Sequence, residues 1–160
     1  MGTHARFDPA TASAIVAERK ASPGALLPIL HALQDAFGYV DRAAIPLIAE
    51  ALNLSRADVH GAISFYHDFR AAPPGRHVLK LCRAEACQAR GCEAVVERLA
   101  DAHGIAPGAT TPDGALTVEG VYCLGNCALG PAALFDGEPL GRLDAAAIDA
   151  LVERASGGSA

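Results

Sequence analysis

The stretch AAPPG, from Ala71 to Gly75, constrains the fold of this 160-residue chain more than any other feature. Consecutive prolines lack backbone N–H donors and push the residues before them out of helical geometry, so neither a helix nor an inner strand runs through. The hydrophobic period changes at the same place. Before the break, apolar residues recur every three to four positions; after it, they fall in short strand-like runs. The chain therefore divides into residues 1–75 and 76–160, each sized for one small core.

The first part reads as four short helices. Asp8-Pro9 supplies an N-cap and a first-turn proline for a helix through Lys20. Ser22-Pro23 repeats that signal ahead of Leu26, Leu30, Leu33 and Phe37, which share one helical face until Gly38. Asp41 reads as the cap of a third helix, with Ile45, Ile48, Ala49 and Leu52 on one stripe and Pro46 bending or delaying its start. Ser55-x-x-Asp58 resembles a capping box before Val59 and Ile63. Together these predict a small helical bundle.

Beyond the break, HVLKLC ending at Cys82 reads as a strand, followed by a helix from about Ala89 to His103 with Val95, Val96, Leu99 and Ala102 inward and Gly104 as its stop. LTVEGVYC from Leu116, AALF before the Asp136-Gly137 turn, and Pro139 to Leu143 supply three further strands. Asp144 caps a last helix, and SGGSA reads as a frayed tail. The order β-α-β-β-β-α predicts an α/β layout close to a thioredoxin-like fold, with two helices covering the sheet.

Composition narrows the function. A net charge of −5, 5% aromatics and no Trp argue against a nucleic-acid partner. No run reaches the roughly 18–20 apolar residues of a membrane span, and the N-terminus lacks the apolar core of a secretion signal. The expectation is a cytoplasmic protein without direct membrane insertion. Up to Gly75 there are 6 basic and 7 acidic residues, and beyond it 7 and 11. Even so, Arg76, Lys80, Arg83 and Arg90 cluster in sequence around the first cysteine pair, which predicts a locally positive neighbourhood.

All five cysteines lie past the break. Cys82 and Cys87 form C-x4-C at the end of the first strand and the entry to the helix, and Cys123 and Cys127 form C-x3-C just after the second strand. If those strands are adjacent and parallel, as the crossover helix implies, both pairs sit at one end of the sheet. An odd number of thiols in a chain read as cytosolic points to metal ligation or thiol chemistry rather than a disulfide framework. Zinc knuckles favour C-x2-C, whereas plant-type 2Fe–2S sites use a wider C-x4-C, so the spacing favours a 2Fe–2S cluster and leaves zinc open. A reactive thiolate at Cys82 or Cys87 is a third reading, which the absence of C-x-x-C weakens.

Around these cysteines, Gly125 and Gly130 are expected to let backbone amides turn toward sulfur, with Leu124 and Leu129 excluding water. Cys92 shares the stripe of Val95, Val96 and Leu99 and reads as a packed thiol. The six histidines show no metal spacing; His77 is read as a candidate donor close to the site. No Walker, G-x-S-x-G or dinucleotide motif occurs, so the chain is expected to have no catalytic residues and no substrate site of its own.

The C-x4-C pair followed by CLGNC-x-x-GP, with GYV (38–40) and ISFY (63–66) before it, resembles the small 2Fe–2S subunit of NADH dehydrogenases, the NuoE-like thioredoxin-type ferredoxins. The resemblance runs from about Leu26 to Arg154. SFYHDF (64–69) and CRAEACQ (82–88) resemble, more particularly, the gamma subunit of soluble, NAD-dependent, molybdenum formate dehydrogenases. The resemblance implies that Cys82, Cys87, Cys123 and Cys127 bind a 2Fe–2S cluster and that the helical part docks on a flavoprotein subunit binding FMN and NAD. It also implies that FMN, the molybdenum cofactor and further iron–sulfur clusters belong to partner subunits, with a molybdenum-containing subunit oxidising formate. The motif gives no role to Cys92.

Overall fold

The computed structural model describes residues 5–157. Two compact units meet in sequence between Pro73 and Pro74.

The first unit contains α1 (Pro9–Arg19), α2 (Leu26–Phe37), α3 (Ala44–Leu52) and α4 (Arg56–Phe65). Local side chains set where these helices begin. The Asp8 carboxylate accepts the Thr11 N–H at 2.8 Å, and Ser55 and Asp58 form the reciprocal capping box, the Ser55 hydroxyl accepting the Asp58 N–H at 3.0 Å. Gly38 closes α2 at φ +80°.

Two starts differ from the sequence reading. Ser22-Pro23 does not open α2: Gly24 at φ +66° keeps that segment in a turn, and the helix begins only at Leu26. Asp41 caps the turn ahead of α3, accepting the Ala43 N–H at 2.8 Å, rather than the helix itself. Pro46 lies at the third helical position, where an N–H would have no intrahelical acceptor, so it causes no break. Ile29, Leu30 and Leu33 of α2 bury against Ile48 of α3, Val59 of α4 and the small Ala12 of α1.

The second unit contains β1 (His77–Cys82), α5 (Glu85–Gln88), α6 (Cys92–His103), β2 (Leu116–Val121), β3 (Ala133–Phe135), β4 (Glu138–Leu140) and α7 (Ala145–Ser156). The sheet order is β2-β1-β3-β4. β1 and β2 run parallel, from His77 opposite Leu116 to Cys82 opposite Val121, and β3 lies antiparallel to β1 on its other side. Asp136 and Gly137, at φ +51° and +88°, make the tight turn into β4, and Asp144 caps α7 by accepting the Ala147 N–H at 2.8 Å.

The helix expected from about Ala89 begins only at Cys92. Gly91 at φ +89° separates the single turn of α5 from α6, which starts at Cys92. Ala102 is exposed; Ile105, just past the Gly104 stop, takes the inward place. β4 ends at Leu140, although Leu143 is buried beyond it. Ser156 is still helical, and the remainder of SGGSA from residue 158 lies outside the described residues, as does His4.

Leu79, Leu81, Val118 and Phe135 of the sheet bury against Leu99 of α6 and Ile148 of α7, each such side chain contributing about 1.5–3 kcal/mol. Among the described residues, no helix is long and apolar enough to cross a membrane.

A polar clasp joins α6 to α7. The Asp149 carboxylate accepts Arg98 Nε at 3.0 Å and Nη2 at 2.7 Å, and its Oδ1 lies 2.7 Å from His103 Nε2. The Arg98 and His103 hydrogen bonds lower the Asp149 pKa to about 2. A depressed carboxylate pKa adds stability above the unfolded value, near 3.8, that is lost as pH falls through about 2. Wild type should therefore resist urea better than Asp149→Asn at pH 5, with the gap closing as pH approaches 2; equal gaps in urea midpoint at both pH values would contradict this.

Candidate metal centre

The parallel register of β1 and β2 brings two loops to one end of the sheet. Cys82 ends β1, and Cys123 follows β2 by two residues. The Cys82 N–H donates to the Ala132 carbonyl at 2.9 Å and the Arg83 N–H to the Val121 carbonyl at 2.7 Å, fixing the end of β1 from both sides. α5 then turns the chain back so that Cys87 joins Cys82, Cys92 and Ala132 in a small buried cluster. Cys82 is thus on the strand end and Cys87 on a helical turn, as the sequence reading placed them.

The second loop carries strain. Cys123 takes φ +68°, a left-handed conformation costly for any residue bearing a Cβ. Cys127 opens a short 3-10 turn, Cys127–Leu129, which is braced from outside: the Arg142 N–H donates to the Leu129 carbonyl at 2.6 Å. Gly141 is required at this brace, because a Cβ there would stand 2.7 Å from both the Cβ and the carbonyl oxygen of Leu129. Arg90 ties the two loops together, its Nε donating to the Gly130 carbonyl at 3.0 Å. A Cβ on Gly130 would lie 3.4 Å from Cys87 Sγ, so this backbone passes close to sulfur.

All five thiols are free of disulfides. Cys82 and Cys87 are only 2% and 1% exposed, whereas Cys123 is exposed and Cys127 half-buried. The Sγ atoms of Cys123 and Cys127 are 3.9 Å apart. Two thiolates each ~2.3 Å from one tetrahedral ion stand about 3.8 Å apart, so this pair is spaced to share a metal. Among the described residues, no three metal-ligating side chains gather as a single-ion site. The Cys123–Cys127 spacing suits one iron of a cluster that spreads four thiolates over two irons.

The electrostatics separate the thiols. Burial alone would raise the Cys82 pKa, but backbone N–H groups of Ala84, Leu124 and Cys123 and the Cys87 thiol outweigh it and hold Cys82 below the ordinary thiol value. Burial pushes Cys87 up, reinforced by the neighbouring Cys82. The hydrogen bond and charge of Cys123 raise Cys127. Cys92 is raised by burial and then by the Glu93 carboxylate. The amides are thus directed mainly at one sulfur, that of Cys82, which is preorganised to carry negative charge.

Several expectations about the surroundings are corrected. Arg76 precedes Cys82 by six residues of extended chain, about 20 Å. Lys80 pairs with Glu119 at 3.7 Å and Arg83 with Glu93 at 3.0 Å, so two of these charges are offset by carboxylates, while Arg90 stays at the site with its Nε on the Gly130 carbonyl. His77 lies at the far end of β1, its Nδ1 2.7 Å from Asp136 Oδ2, and gives nothing to the cysteines. Leu124 packs against the cysteine cluster, but Leu129 is exposed. Sequence reasoning missed Ala132, whose N–H is directed at Cys87, and Gly141, because both act across long sequence separations.

The family model described as "Thioredoxin-like [2Fe-2S] ferredoxin" matches residues 12–156. The chain is 37% identical over 129 residues to an E-type subunit of the NADH-quinone oxidoreductase of Rhizobium meliloti, covering 81% of this chain and 77% of the relative. It is 33% identical over 108 residues to the NADP-reducing hydrogenase subunit HndA of Solidesulfovibrio fructosivorans, covering 68% and 63%. Among solved structures, an air-oxidised NAD+-reducing [NiFe]-hydrogenase matches with a TM-score of 0.71 and 33% identity, over 89% of this chain but only 24% of that one. Paired thiols at one end of a four-stranded mixed sheet, in a chain matched nearly throughout, lead to one conclusion: the chain belongs to the thioredoxin-like [2Fe-2S] ferredoxin family, whose cofactor is a 2Fe–2S cluster.

Proposed function

We propose that Cys82, Cys87, Cys123 and Cys127 hold the 2Fe–2S cluster and that the chain is the electron-transfer (gamma) subunit of an NAD-dependent formate dehydrogenase, seated beside its FMN- and NAD-binding subunit. The observation that carries this reading is the convergence of two cysteine pairs on one end of the parallel β1/β2 pair. A 2Fe–2S cluster, when bound, supplies reversible one-electron chemistry. The protein buries Cys82 and Cys87 away from water, aims amides at Cys82, and leaves Cys123 facing solvent, where a partner's redox group can approach.

The division at Pro73 and Pro74 separates this cluster-bearing unit from a helical docking unit. Exposed Phe65 and Tyr66 at the end of α4 support a docking role. Formate oxidation then belongs to a molybdenum-containing partner, consistent with a chain that has no substrate motif. The segments SFYHDF and CRAEACQ favour the formate enzyme; the 37% identity to the Rhizobium meliloti relative favours a second reading, the equivalent subunit of NADH-quinone oxidoreductase. Affinity purification of the tagged chain from its native host separates them. Co-purifying molybdenum and formate-dependent NAD reduction are expected, and recovery of quinone-reducing subunits instead would favour the second reading.

The ligand assignment has its own test. Anaerobically prepared protein should contain about two irons and two acid-labile sulfides per chain. Cys123→Ser should lose most of that iron and the visible absorption, while Cys92→Ala keeps both; equal iron loss in the two variants would overturn the assignment. Gly141→Ala probes the brace behind Cys127. Displacing Leu129 should cost about 1–3 kcal/mol of unfolding stability. The cluster should also be released faster to a chelator, and unchanged release kinetics would show that the brace does not support the metal turn.

A further inference from the structure

We propose that Glu93 is a positioning residue for the electron-transfer function: by clamping Arg83 it cancels a charge beside the buried cysteine pair and thereby sets the reduction potential without contacting a ligand. The inference rests on the reading that Cys82 and Cys87 hold one side of the cluster.

Arg83 directly follows Cys82, and its backbone is fixed at both ends, the N–H donating to Val121 at 2.7 Å and the carbonyl accepting Gln88 Nε2 at 2.9 Å. Its guanidinium can therefore move only through its own side chain. Nη2 donates to both Glu93 oxygens at 3.0 Å and Nε to Oε1 at 3.3 Å. Glu93 stands in the first turn of the twelve-residue α6, where the helix dipole favours a carboxylate. The same Oε1 accepts the thiol of Cys92 at 3.8 Å, and Cys92 is wholly buried in the cluster that contains Cys82 and Cys87. The ion pair thus lies against the apolar cysteine cluster on one side and solvent on the other.

Reduction adds one negative charge in that cluster. A bare guanidinium nearby favours it and a bare carboxylate opposes it, and the partial exposure of both side chains leaves either effect open to screening by salt. Paired, the two nearly cancel. Freeing either partner exposes the other's charge, with opposite signs for the two substitutions. A pair with a purely structural role would alter thermal stability and leave the potential where it was.

The test is an EPR-monitored redox titration of the full-length, cluster-loaded chain at low and high salt. Glu93→Gln should raise the potential, Arg83→Gln should lower it, and the double variant should return near wild type, with both single shifts shrinking at high salt. Glu93→Asp, which keeps the charge, should stay near wild type and distinguishes charge from shape should Arg83→Gln fail to fold. Unchanged potentials in fully loaded Glu93→Gln, or shifts of the same sign in both single variants, would overturn the proposal. Cys82→Ser separates the two levels: its retention of a native spectrum sinks the ligand assignment, whereas loss of the cluster there with no shift in Glu93→Gln sinks only the role of the ion pair.

Discussion

The parallel pairing of β1 with β2 is the constraint on which the metal centre depends. Parallel strands place their C-terminal ends together, and the register that sets Cys82 opposite Val121 leaves only Tyr122 between the end of β2 and Cys123. A register slip of one residue would turn Leu79 and Leu81 out of the core, so the apolar packing that holds the sheet also holds the two cysteine loops in step. Fold stability and site geometry are therefore one property in this unit. The ties that complete the site, from Arg90 to Gly130 and from Arg142 to Leu129, only refine positions that the strands have already set.

The four thiols are not equivalent. One pair is buried and receives the backbone amides, while the other faces solvent on a turn that includes a left-handed cysteine. The buried pair suits retention of a cluster, because water and competing ligands are excluded from it. The exposed pair suits exchange of electrons with a partner, because little protein separates it from the surface. Burial and exposure are thus divided between the two cysteine pairs.

Much of this was legible in the sequence because it is local. The capping box at Ser55 and Asp58, the Gly38 stop, the Asp136-Gly137 turn and the two cysteine spacings each involve residues within five positions of one another. What was not legible is either masked or long-range. Helical periodicity from Ala89 onward concealed the left-handed Gly91 that splits α5 from α6, and Ser-Pro imitated a cap that Gly24 prevents. The basic cluster looked electropositive because the carboxylates that neutralise Arg83 and Lys80 come from α6 and β2. Ala102 fitted the inward stripe by period, yet Ile105 fills the core instead, because a large side chain just past the helix stop buries more surface than an alanine before it.

Pro139 has a consequence for the life of the folded unit. It lies in the middle of β4, the outermost strand on that side, and it has no N–H to offer an incoming chain. The three-residue length of β4 shortens the template further. Because the same segment leads directly into Gly141 and the brace behind Cys127, a foreign strand annealed there would pull on the cysteine turn. The proline thus makes this margin of the sheet, beside the cysteine turn, a poor template for edge-to-edge pairing.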